Sequence, residues 1–213
     1  MSTLLPALAA AAPTAAAWSL HTMWMRRKLA AARRDPLTGL ATRETFETDA
    51  RRLLAYGPRA VLVVDLDGFK VLNDSHGHAA GDTALSAIGR RLADWSADNA
   101  GQVARLGGDE FAAVAPVYSP ADLAWELEQL HQRLCEPVAY EGRPLALGAS
   151  IGAAWSARPP GDLPWPLRRA DEAMYAAKQN GGGYHIADDT TEPHPTVNGR
   201  RAGRPGAHGG DDR

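Results

Sequence analysis

The alternation of apolar and polar positions predicts a chain of mixed helices and strands. Short apolar, β-branched runs are typical of strands, and a glycine pair between two such runs predicts a hairpin, because glycine accepts positive φ without steric cost. By these signals, strands are predicted at residues 60–66, 103–106, 111–116, 138–140, 144–155 and 184–187. Gly107-Gly108 joins the second and third of these strands, and Glu141-Gly142 joins the fourth and fifth.

Apolar residues at helical spacing predict the helices. Longer helices are predicted from Thr42 or Arg43 to about Leu54, from about Asp82 to Trp95, from about Ser119 to Leu134 and from Leu167 to Asn180. A turn and a short helix are predicted at residues 68–75, and a Pro/Gly-rich loop at residues 158–166. The glycine-punctuated stretch from His76 to Asp82 predicts a loop that opens the second long helix.

Composition narrows the class of protein. The 213 residues suffice for one domain of usual size and a short extension. A formal net charge of −2 gives no global basic signal, so no nucleic-acid partner is expected. The single cysteine, Cys135, excludes an internal disulfide and fits a reducing compartment. As a small apolar side chain in an apolar helix, it is not expected to be a nucleophile.

The first 25 residues predict a transmembrane segment. Residues 4–25 carry no formal charge when His21 is neutral, and this length suffices to cross a bilayer. Basic residues follow at once, so the positive-inside rule places the rest of the chain in the cytoplasm. Because these charges come after the apolar stretch, an anchor is favoured over a cleaved secretory signal. The alternative is an Ala-rich helix that packs on a partner or lies on the membrane surface.

Both ends of the chain differ in composition from its middle. Residues 26–34 contain five basic side chains and predict a helical linker, which Asp35-Pro36 ends because a residue before proline avoids the α region. Residues 189–213 are dominated by Pro, Gly, His, Arg and Asp, and predict a disordered tail.

Two acidic stretches coincide with predicted strand ends. Asp65 lies near the end of the 60–66 strand, where a buried carboxylate is unfavourable without a cation. Asp109 and Glu110 lie at the tip of the glycine hairpin, where adjacent carboxylates are by themselves most simply solvated turn residues. If neighbouring strands bring Asp65 and Asp109 together, they supply hard oxygen ligands with room for water and phosphate oxygens. Mg²⁺ is normally held in this way.

At these two stretches the sequence resembles the GGDEF family, the diguanylate cyclases, and the resemblance extends from about Asp35 to about Asp188. Five segments in the family's order carry it: Asp35-Pro-Leu-Thr-Gly-Leu, Asp65-Leu-Asp-Gly-Phe-Lys-Val-Leu-Asn-Asp, Gly77-His-Ala-Ala-Gly-Asp82, Gly107-Gly-Asp-Glu-Phe and Ala170-Asp-Glu-Ala-Met-Tyr-Ala-Ala-Lys178. The resemblance implies an α/β domain at residues 35–188, with a palm-like, mainly antiparallel sheet flanked by helices, as in nucleotidyl cyclases. It also implies condensation of two GTP to cyclic di-GMP and pyrophosphate, with two Mg²⁺ (or Mn²⁺) ions per active site.

The resemblance also assigns roles to individual residues. It implies metal contacts from Asp65, the Leu66 carbonyl oxygen and Asp109. Asp109 or Glu110 would accept the proton of the attacking 3′-hydroxyl. Contacts with the nucleotide are implied for Lys70, Asn73, His78, Asp82, Gly107, Gly108 and Lys178. Within this set, Asn73 and Asp82 would bind guanine and the two lysines would bind phosphates.

Several of these residues have structural alternatives. Asn73 fits an Asx-turn and Asp82 a helix cap. Lys178 suits the negative end of its helix. His78 is equally well interpreted as a loop histidine with no role in binding.

Four features depart from the family's pattern. Asp98-Asn-Ala-Gly101 stands where an Arg-x-x-Asp product-inhibition motif is normal, so inhibition by cyclic di-GMP at that site is not expected. Thr42 replaces a usual Asn, and Gly182 stands where an Arg often follows the lysine, which would weaken phosphate binding. No sensor or receiver domain is recognised.

One such domain binds one GTP, whereas the product contains two nucleotides, so the resemblance implies that two protomers face each other. Anchoring in the bacterial inner membrane, with the catalytic domain in the cytoplasm, would raise their effective concentration. The competing hypothesis is a catalytically weak GGDEF domain that serves as a membrane-bound GTP-binding or interaction module. Gly182 and the missing input domain favour that hypothesis, whereas the intact acidic residues favour the enzyme.

Overall fold

A computed structural model describes Trp18 and residues 21–25, 33–157 and 162–188. The apolar run predicted as a strand forms β2, which is buried along almost its whole length. The elements, in chain order, are β1 (Ala41–Thr42), α1 (Arg43–Leu54), β2 (Arg59–Leu66), α2 (Phe69–His76), α3 (His78–Asp98), β3 (Gln102–Gly107), β4 (Glu110–Pro116), α4 (Pro120–Leu134), β5 (Val138–Tyr140), β6 (Arg143–Leu145), β7 (Ala149–Ser156), α5 (Pro164–Gln179) and β8 (Gly183–Ile186).

Six of these strands form one mixed sheet in the order β1-β3-β4-β2-β7-β8, and β5 and β6 form a separate hairpin. The three central pairings of the sheet are antiparallel, whereas the edge pairings β1–β3 and β7–β8 are parallel. The predicted α/β fold with a mainly antiparallel sheet is therefore confirmed.

Helices cover both faces of the sheet. On one face, Leu62 and Val64 of β2 belong to a buried cluster with residues of α3 and α4. On the other face, Val61 and Val63 belong to a second cluster with residues of α1 and α5. Because side chains alternate along a strand, Asp65 continues the face covered by α1 and α5.

Helix α5 lies unusually close to the sheet because β7 has a glycine at the crossing. A Cβ atom on Gly152 would lie only 2.0 Å from the Ala170 carbonyl oxygen and 2.0 Å from the Met174 nitrogen. Ala170, Met174 and Ala177, which recur at helical spacing along α5, are all buried on the side that faces the sheet. The close packing fixes the end of α5, which bears Lys178, over the end of β2.

The predicted start of the second long helix is wrong. Helix α3 begins at His78 rather than at about Asp82, directly after Gly77, whose φ of +81° separates it from α2. Gly81 did not break the helix, because it is buried against α2 and packing outweighs its low helix propensity. Asp82 therefore lies within the helix, and its interpretation as a helix cap is wrong.

The predicted strand at residues 144–155 is also wrong, because it contains two strands. The hairpin at Glu141-Gly142 is confirmed as β5–β6, but β6 ends at Leu145 and β7 begins at Ala149, paired with β2 in the main sheet. The interruption includes Gly148, whose carbonyl oxygen accepts a hydrogen bond from the Asp67 nitrogen at 2.9 Å. The continuous apolar run at residues 144–155 did not show that its first part pairs with β5 and its last part with β2.

Smaller differences concern the edges of the fold. Helix α5 begins at Pro164 rather than Leu167, because proline is tolerated in a first helical turn, where its missing N–H has no intrahelical partner. Strand β1 has only two residues and was not predicted.

Most of the predicted membrane segment, most of the basic linker and the predicted tail from residue 189 lie outside the described residues. Within the part of the chain that the structure describes, no helix is both long and apolar enough to cross a membrane.

Candidate functional site

The two acidic stretches meet at one end of the central sheet. In the antiparallel pairing of β2 with β4, Asp65 lies directly opposite Glu110. Side chains of directly opposed residues share a face of the sheet, with Cβ atoms roughly 5 Å apart. Asp109 precedes Glu110 in the turn. The structure therefore brings the two acidic stretches together on the face covered by α1 and α5.

A lysine neutralises the more deeply buried of these carboxylates. Asp65 is only 4% exposed, and its Oδ1 atom accepts a hydrogen bond from the Nζ atom of Lys178 in the last turn of α5. The Lys178 side chain remains 40% exposed. The ammonium thus reaches from the protein surface to a carboxylate that would otherwise be unfavourable at this depth.

An arginine fixes the backbone of the glycine turn. Gly107 and Gly108 have φ angles of +146° and +54°, which L side chains rarely adopt. Arg105 donates from Nε and Nη2 to the Gly108 carbonyl oxygen at 2.9 and 2.8 Å. Its Nη1 atom donates to both carboxylate oxygens of Asp35 at 3.1 Å. The guanidinium therefore connects the turn that bears Asp109 to a segment 70 residues earlier in the chain.

Asp35 is itself held in place by its own turn. Its Oδ1 atom accepts hydrogen bonds from the Thr38 nitrogen at 2.8 Å and from Thr38 Oγ1 at 2.7 Å. Burial raises the pKa of Asp35, but the hydrogen bonds from Thr38 and the Arg105 guanidinium outweigh burial, so its pKa lies below the ordinary value. Asp35 is therefore charged at neutral pH, as the ion pair with Arg105 requires.

The residues expected to bind guanine lie on the helical pair α2 and α3. Asn73 is half-buried on α2, and Asp82 is exposed on α3, one residue after Gly81. Lys70 is exposed on α2, and His78 is the exposed first residue of α3 rather than a loop residue. Helix α2 follows β2 directly and α3 follows α2, so this pair begins where the acidic site lies.

Two residues with structural roles at the site were missed. One is Arg105. In the sequence, its role is indicated by nothing more than its position two residues before the Gly-Gly pair. The other is Asp67, whose Oδ1 atom accepts a hydrogen bond from the buried Ser150 at 2.7 Å. A Cβ atom on Gly182 would lie 2.9 Å from the Oδ2 atom of Asp67, so the turn after α5 passes close to this carboxylate.

The oxygen atoms at the site are of the hard type that magnesium prefers. Within the described residues there is no group of three or more His, Cys, Asp and Glu side chains that could enclose a metal. Mg²⁺ is usually bound by one or two carboxylates, with water and substrate phosphates as the other ligands. The Asp65 carboxylate, the Leu66 carbonyl oxygen and the acidic turn are hard donors of this kind. The buried Asp65 already attracts a cation, Lys178.

Comparisons with known proteins agree with this geometry. A sequence model described as "Diguanylate cyclase, GGDEF domain" matches residues 32–183. An uncharacterized 19.3 kDa protein from Streptomyces ambofaciens is 46% identical over 183 residues, which cover 83% of this chain and 91% of that protein. MucR from Pseudomonas aeruginosa, a bifunctional diguanylate cyclase and cyclic di-GMP phosphodiesterase, is 36% identical over 156 residues. These cover 69% of this chain but only 22% of MucR.

Solved structures show the same architecture. The GGDEF domain of TpbB (YfiN) from Pseudomonas aeruginosa superposes with a TM-score of 0.66 at 36% identity, covering 73% of this chain and 94% of that one. The coiled coil and GGDEF domain of DgcB from Caulobacter crescentus, solved in complex with c-di-GMP, gives a TM-score of 0.72 at 26% identity. That match covers 87% of this chain and 99% of the DgcB chain.

Proposed function

The chain belongs to the GGDEF domain family, and on this premise we propose that it is a diguanylate cyclase that joins two GTP molecules into cyclic di-GMP. The observation that best supports this proposal is the placement of Asp65 opposite Glu110, beside the Lys178 ammonium. Two carboxylates and a cation at one sheet end suit the triphosphate of a nucleotide bound with a divalent metal. A domain with a purely structural role would leave this concentration of charge unexplained.

In the proposed reaction, the 3′-oxygen of one GTP forms a bond to the α-phosphorus of the other, and the bond to pyrophosphate breaks. A second, equivalent step closes the ring and releases a second pyrophosphate. Asp109 or Glu110 accepts the proton of the attacking hydroxyl. Two Mg²⁺ ions, when bound, would neutralise phosphate charge and activate this hydroxyl. Most of the catalysis then comes from positioning, as is usual in phosphoryl transfer.

The triphosphate would be held by side chains and by backbone. Lys178 and Lys70 offer ammonium groups, and the left-handed glycines Gly107 and Gly108 let the main chain approach the nucleotide closely. Because Lys178 is paired with Asp65, we propose that the ammonium moves to the phosphates when a divalent cation takes its place at that carboxylate.

Guanine would lie near α2 and α3. The exposed Asp82 carboxylate can accept hydrogen bonds from the N1–H and N2–H groups of guanine, and the Asn73 amide can meet O6 or N3. His78 is exposed at the start of α3, four residues before Asp82. We propose that its side chain lies near the bound nucleotide.

By the family resemblance, Gly182 stands where an arginine often follows the lysine. Its φ of +102° would strain any other residue, and a Cβ atom there would lie 2.9 Å from the Oδ2 atom of Asp67, so that carboxylate would have to shift. We propose that the loss of one guanidinium raises the GTP concentration needed for turnover without abolishing it. This departure is also what favours the second candidate function, a catalytically weak GTP-binding module.

Two features of the proposed enzyme concern assembly and regulation. Because each domain would bind one GTP, turnover requires two protomers with facing sites. The Arg-x-x-Asp motif is replaced by residues 98–101, and Asp98 instead pairs with Arg133, with Nη1 and Oδ2 3.6 Å apart. We propose that the enzyme lacks product inhibition at that position.

Membrane attachment is proposed from the sequence alone. An apolar segment at residues 4–25 followed by basic residues would hold the domain on the cytoplasmic side of the inner membrane. Sedimentation of the full chain with membranes that survives high salt but not detergent would support an anchor. Release by salt alone would indicate surface adsorption instead.

The proposed function is tested by incubating the purified full chain with GTP and Mg²⁺ and identifying products by mass spectrometry. The expected product is cyclic di-GMP, and Asp109→Ala and Glu110→Ala should each abolish it while leaving the protein folded. GTP binding without product at high protein concentration would instead favour the GTP-binding module.

A further inference from the structure

One glycine in α3 lies directly against a residue proposed to read guanine. A Cβ atom on Gly81 would lie 2.0 Å from the Oδ1 atom of Asn73, 3.0 Å from its Cγ atom and 3.2 Å from the Cζ atom of Phe69. The amide of Asn73 therefore occupies the space in which any other residue at position 81 would place its side chain. The ring of Phe69 lies beside the same space.

The backbone of α3 does not explain why position 81 is glycine. Gly81 is the fourth residue of a helix of 21 residues, and it is not among the residues with positive φ. Glycine is the least favourable residue in a helix apart from proline, so alanine would stabilise an isolated helix at this position. The contact with Asn73 is thus the feature of the fold that requires glycine.

Gly81 also fixes the relation between the two side chains proposed to bind guanine. Asp82 is the next residue of α3 and is exposed, whereas Gly81 is buried and faces α2. One helical turn therefore bears the Asp82 carboxylate and also supports the Asn73 amide. We infer that Gly81 is a positioning residue for guanine recognition, which acts by leaving free the space that the Asn73 amide occupies beside the turn that bears Asp82.

This inference rests on the proposed function and is tested by nucleotide binding rather than by turnover. In Gly81→Ala, the Asn73 oxygen must move by about 1 Å, because a contact of 2.0 Å with a real Cβ atom does not occur. Misplacing one amide hydrogen bond should weaken GTP binding about 3- to 10-fold. The affinity for ATP, which shares the triphosphate but lacks the guanine groups, should change less than about twofold. Both affinities can be measured by calorimetry with full-length protein and Mg²⁺.

Two further variants separate positioning from general damage to the fold. Gly89→Ala introduces a methyl group in the same helix, 2.7 Å from the Cβ atom of Thr38 and away from Asn73, so it should lower stability but leave the GTP-to-ATP affinity ratio unchanged. In the Asn73→Ala background, Gly81→Ala should have no further effect on that ratio. It should also cost less stability there than in the wild-type protein, because the Asn73 oxygen that a Cβ atom would meet at 2.0 Å is then absent.

The outcomes are distinct for the two proposals. A folded Gly81→Ala variant with the wild-type ratio of GTP affinity to ATP affinity would overturn this inference. The inference would also be overturned if Gly81→Ala lowered this affinity ratio by the same factor in the Asn73→Ala background as in the wild-type protein. If the wild-type protein binds GTP no more tightly than ATP, the result contradicts the proposed function itself, and not only the role of Gly81. Loss of the preference in Gly81→Ala, without further loss in the double variant, supports the positioning role.

Discussion

The ammonium of Lys178 and the carboxylate of Asp65 form an ion pair that connects the last turn of α5 to the end of β2. The two residues are 113 positions apart in the chain. The carboxylate proposed to bind a metal is therefore already paired with a cation of the protein itself. A divalent ion must compete with that cation.

Replacing Lys178 with methionine removes the competing cation. We predict that Lys178→Met binds Mn²⁺ about two- to fivefold more tightly than the wild-type protein in the absence of nucleotide, the range expected for a partly exposed ion pair. It should also bind GTP more weakly, because the phosphates lose an ammonium. Free Mn²⁺ can be followed by electron paramagnetic resonance. Lys70→Met is the control, since Lys70 is exposed and its removal should not tighten Mn²⁺ binding. Weaker Mn²⁺ binding by Lys178→Met would contradict the proposal that Lys178 competes with a divalent ion for Asp65.

Arg105 should be essential because it holds the backbone of the acidic turn. In Arg105→Ala the Gly108 carbonyl oxygen loses two N–H donors, and the Asp35 carboxylate loses its ion-pair partner but keeps the hydrogen bonds from Thr38. We expect a loss of about 1.5–3 kcal/mol in the free energy of unfolding, typical of hydrogen bonds to charged groups, and at least a tenfold lower rate of product formation. Arg105→Lys should not restore the rate, because an ammonium cannot reproduce the forked contacts. A wild-type rate in folded Arg105→Ala would refute this role.

The lowered pKa of Asp35 gives a pH dependence with a definite sign. A group whose pKa is lower in the folded state stabilises the fold above its unfolded value, and this contribution is lost as the pH falls through the folded pKa. Relative to wild type, Asp35→Asn should therefore be less stable at neutral pH, by about 1–3 kcal/mol. The difference should shrink below pH 3.8, the ordinary value.

Urea unfolding of both proteins across this pH range measures the effect. Asp49→Asn is a suitable control, because Asp49 forms a surface ion pair with Arg52 and the variant should differ from wild type by less than about 0.5 kcal/mol. A difference for Asp35→Asn that stays constant from pH 7 to below the ordinary value would contradict the lowered pKa.

Gly152 should tolerate no side chain. A methyl group there would overlap the backbone of α5 at three atoms, so α5 must move away from β7. We predict that Gly152→Ala lowers the free energy of unfolding by about 1–3 kcal/mol, the usual effect of overpacking, and weakens GTP binding through displacement of Lys178. Chemical denaturation and nucleotide titration test both parts. An unchanged denaturation midpoint would show that the helix accommodates the methyl group without strain.

Product inhibition provides a further test of the proposed enzyme. Because residues 98–101 lack the Arg-x-x-Asp pattern, added cyclic di-GMP should lower the initial rate only by competing with GTP. The maximal rate at saturating GTP should remain unchanged. A fall in the maximal rate with rising product concentration would reveal a separate inhibitory site.

The sequence predicted those parts of the fold that local patterns determine. Strand β2 and the glycine hairpin were predicted because apolar runs and Gly-Gly are local signals. The start of α3 was not, because the burial of Gly81 against Asn73 depends on the packing of two helices. The division between β6 and β7 depends on the pairing of β7 with β2, which the apolar run does not show.

The candidate site was likewise predicted in part. Sequence motifs identified Asp65, Asp109 and Lys178 as candidate residues, but they did not predict the ion pair between Asp65 and Lys178. The contact of Arg105 with Asp35 joins residues 70 positions apart, and its role follows only from the folded chain. The positive φ angles of Gly107 and Gly108 could be anticipated, because both residues are glycine. The hydrogen bonds from Arg105 to the Gly108 carbonyl oxygen could not be predicted from the sequence.

The most direct test of the account is a crystal structure of the protein with Mn²⁺ and a non-reactive GTP analogue, in which anomalous scattering locates the metal. We predict a manganese peak within bonding distance of Asp65 and the acidic turn, with guanine against Asn73 and Asp82 and with Lys178 turned toward the phosphates. Manganese absent from Asp65, or a nucleotide bound elsewhere on the domain, would contradict the central claim.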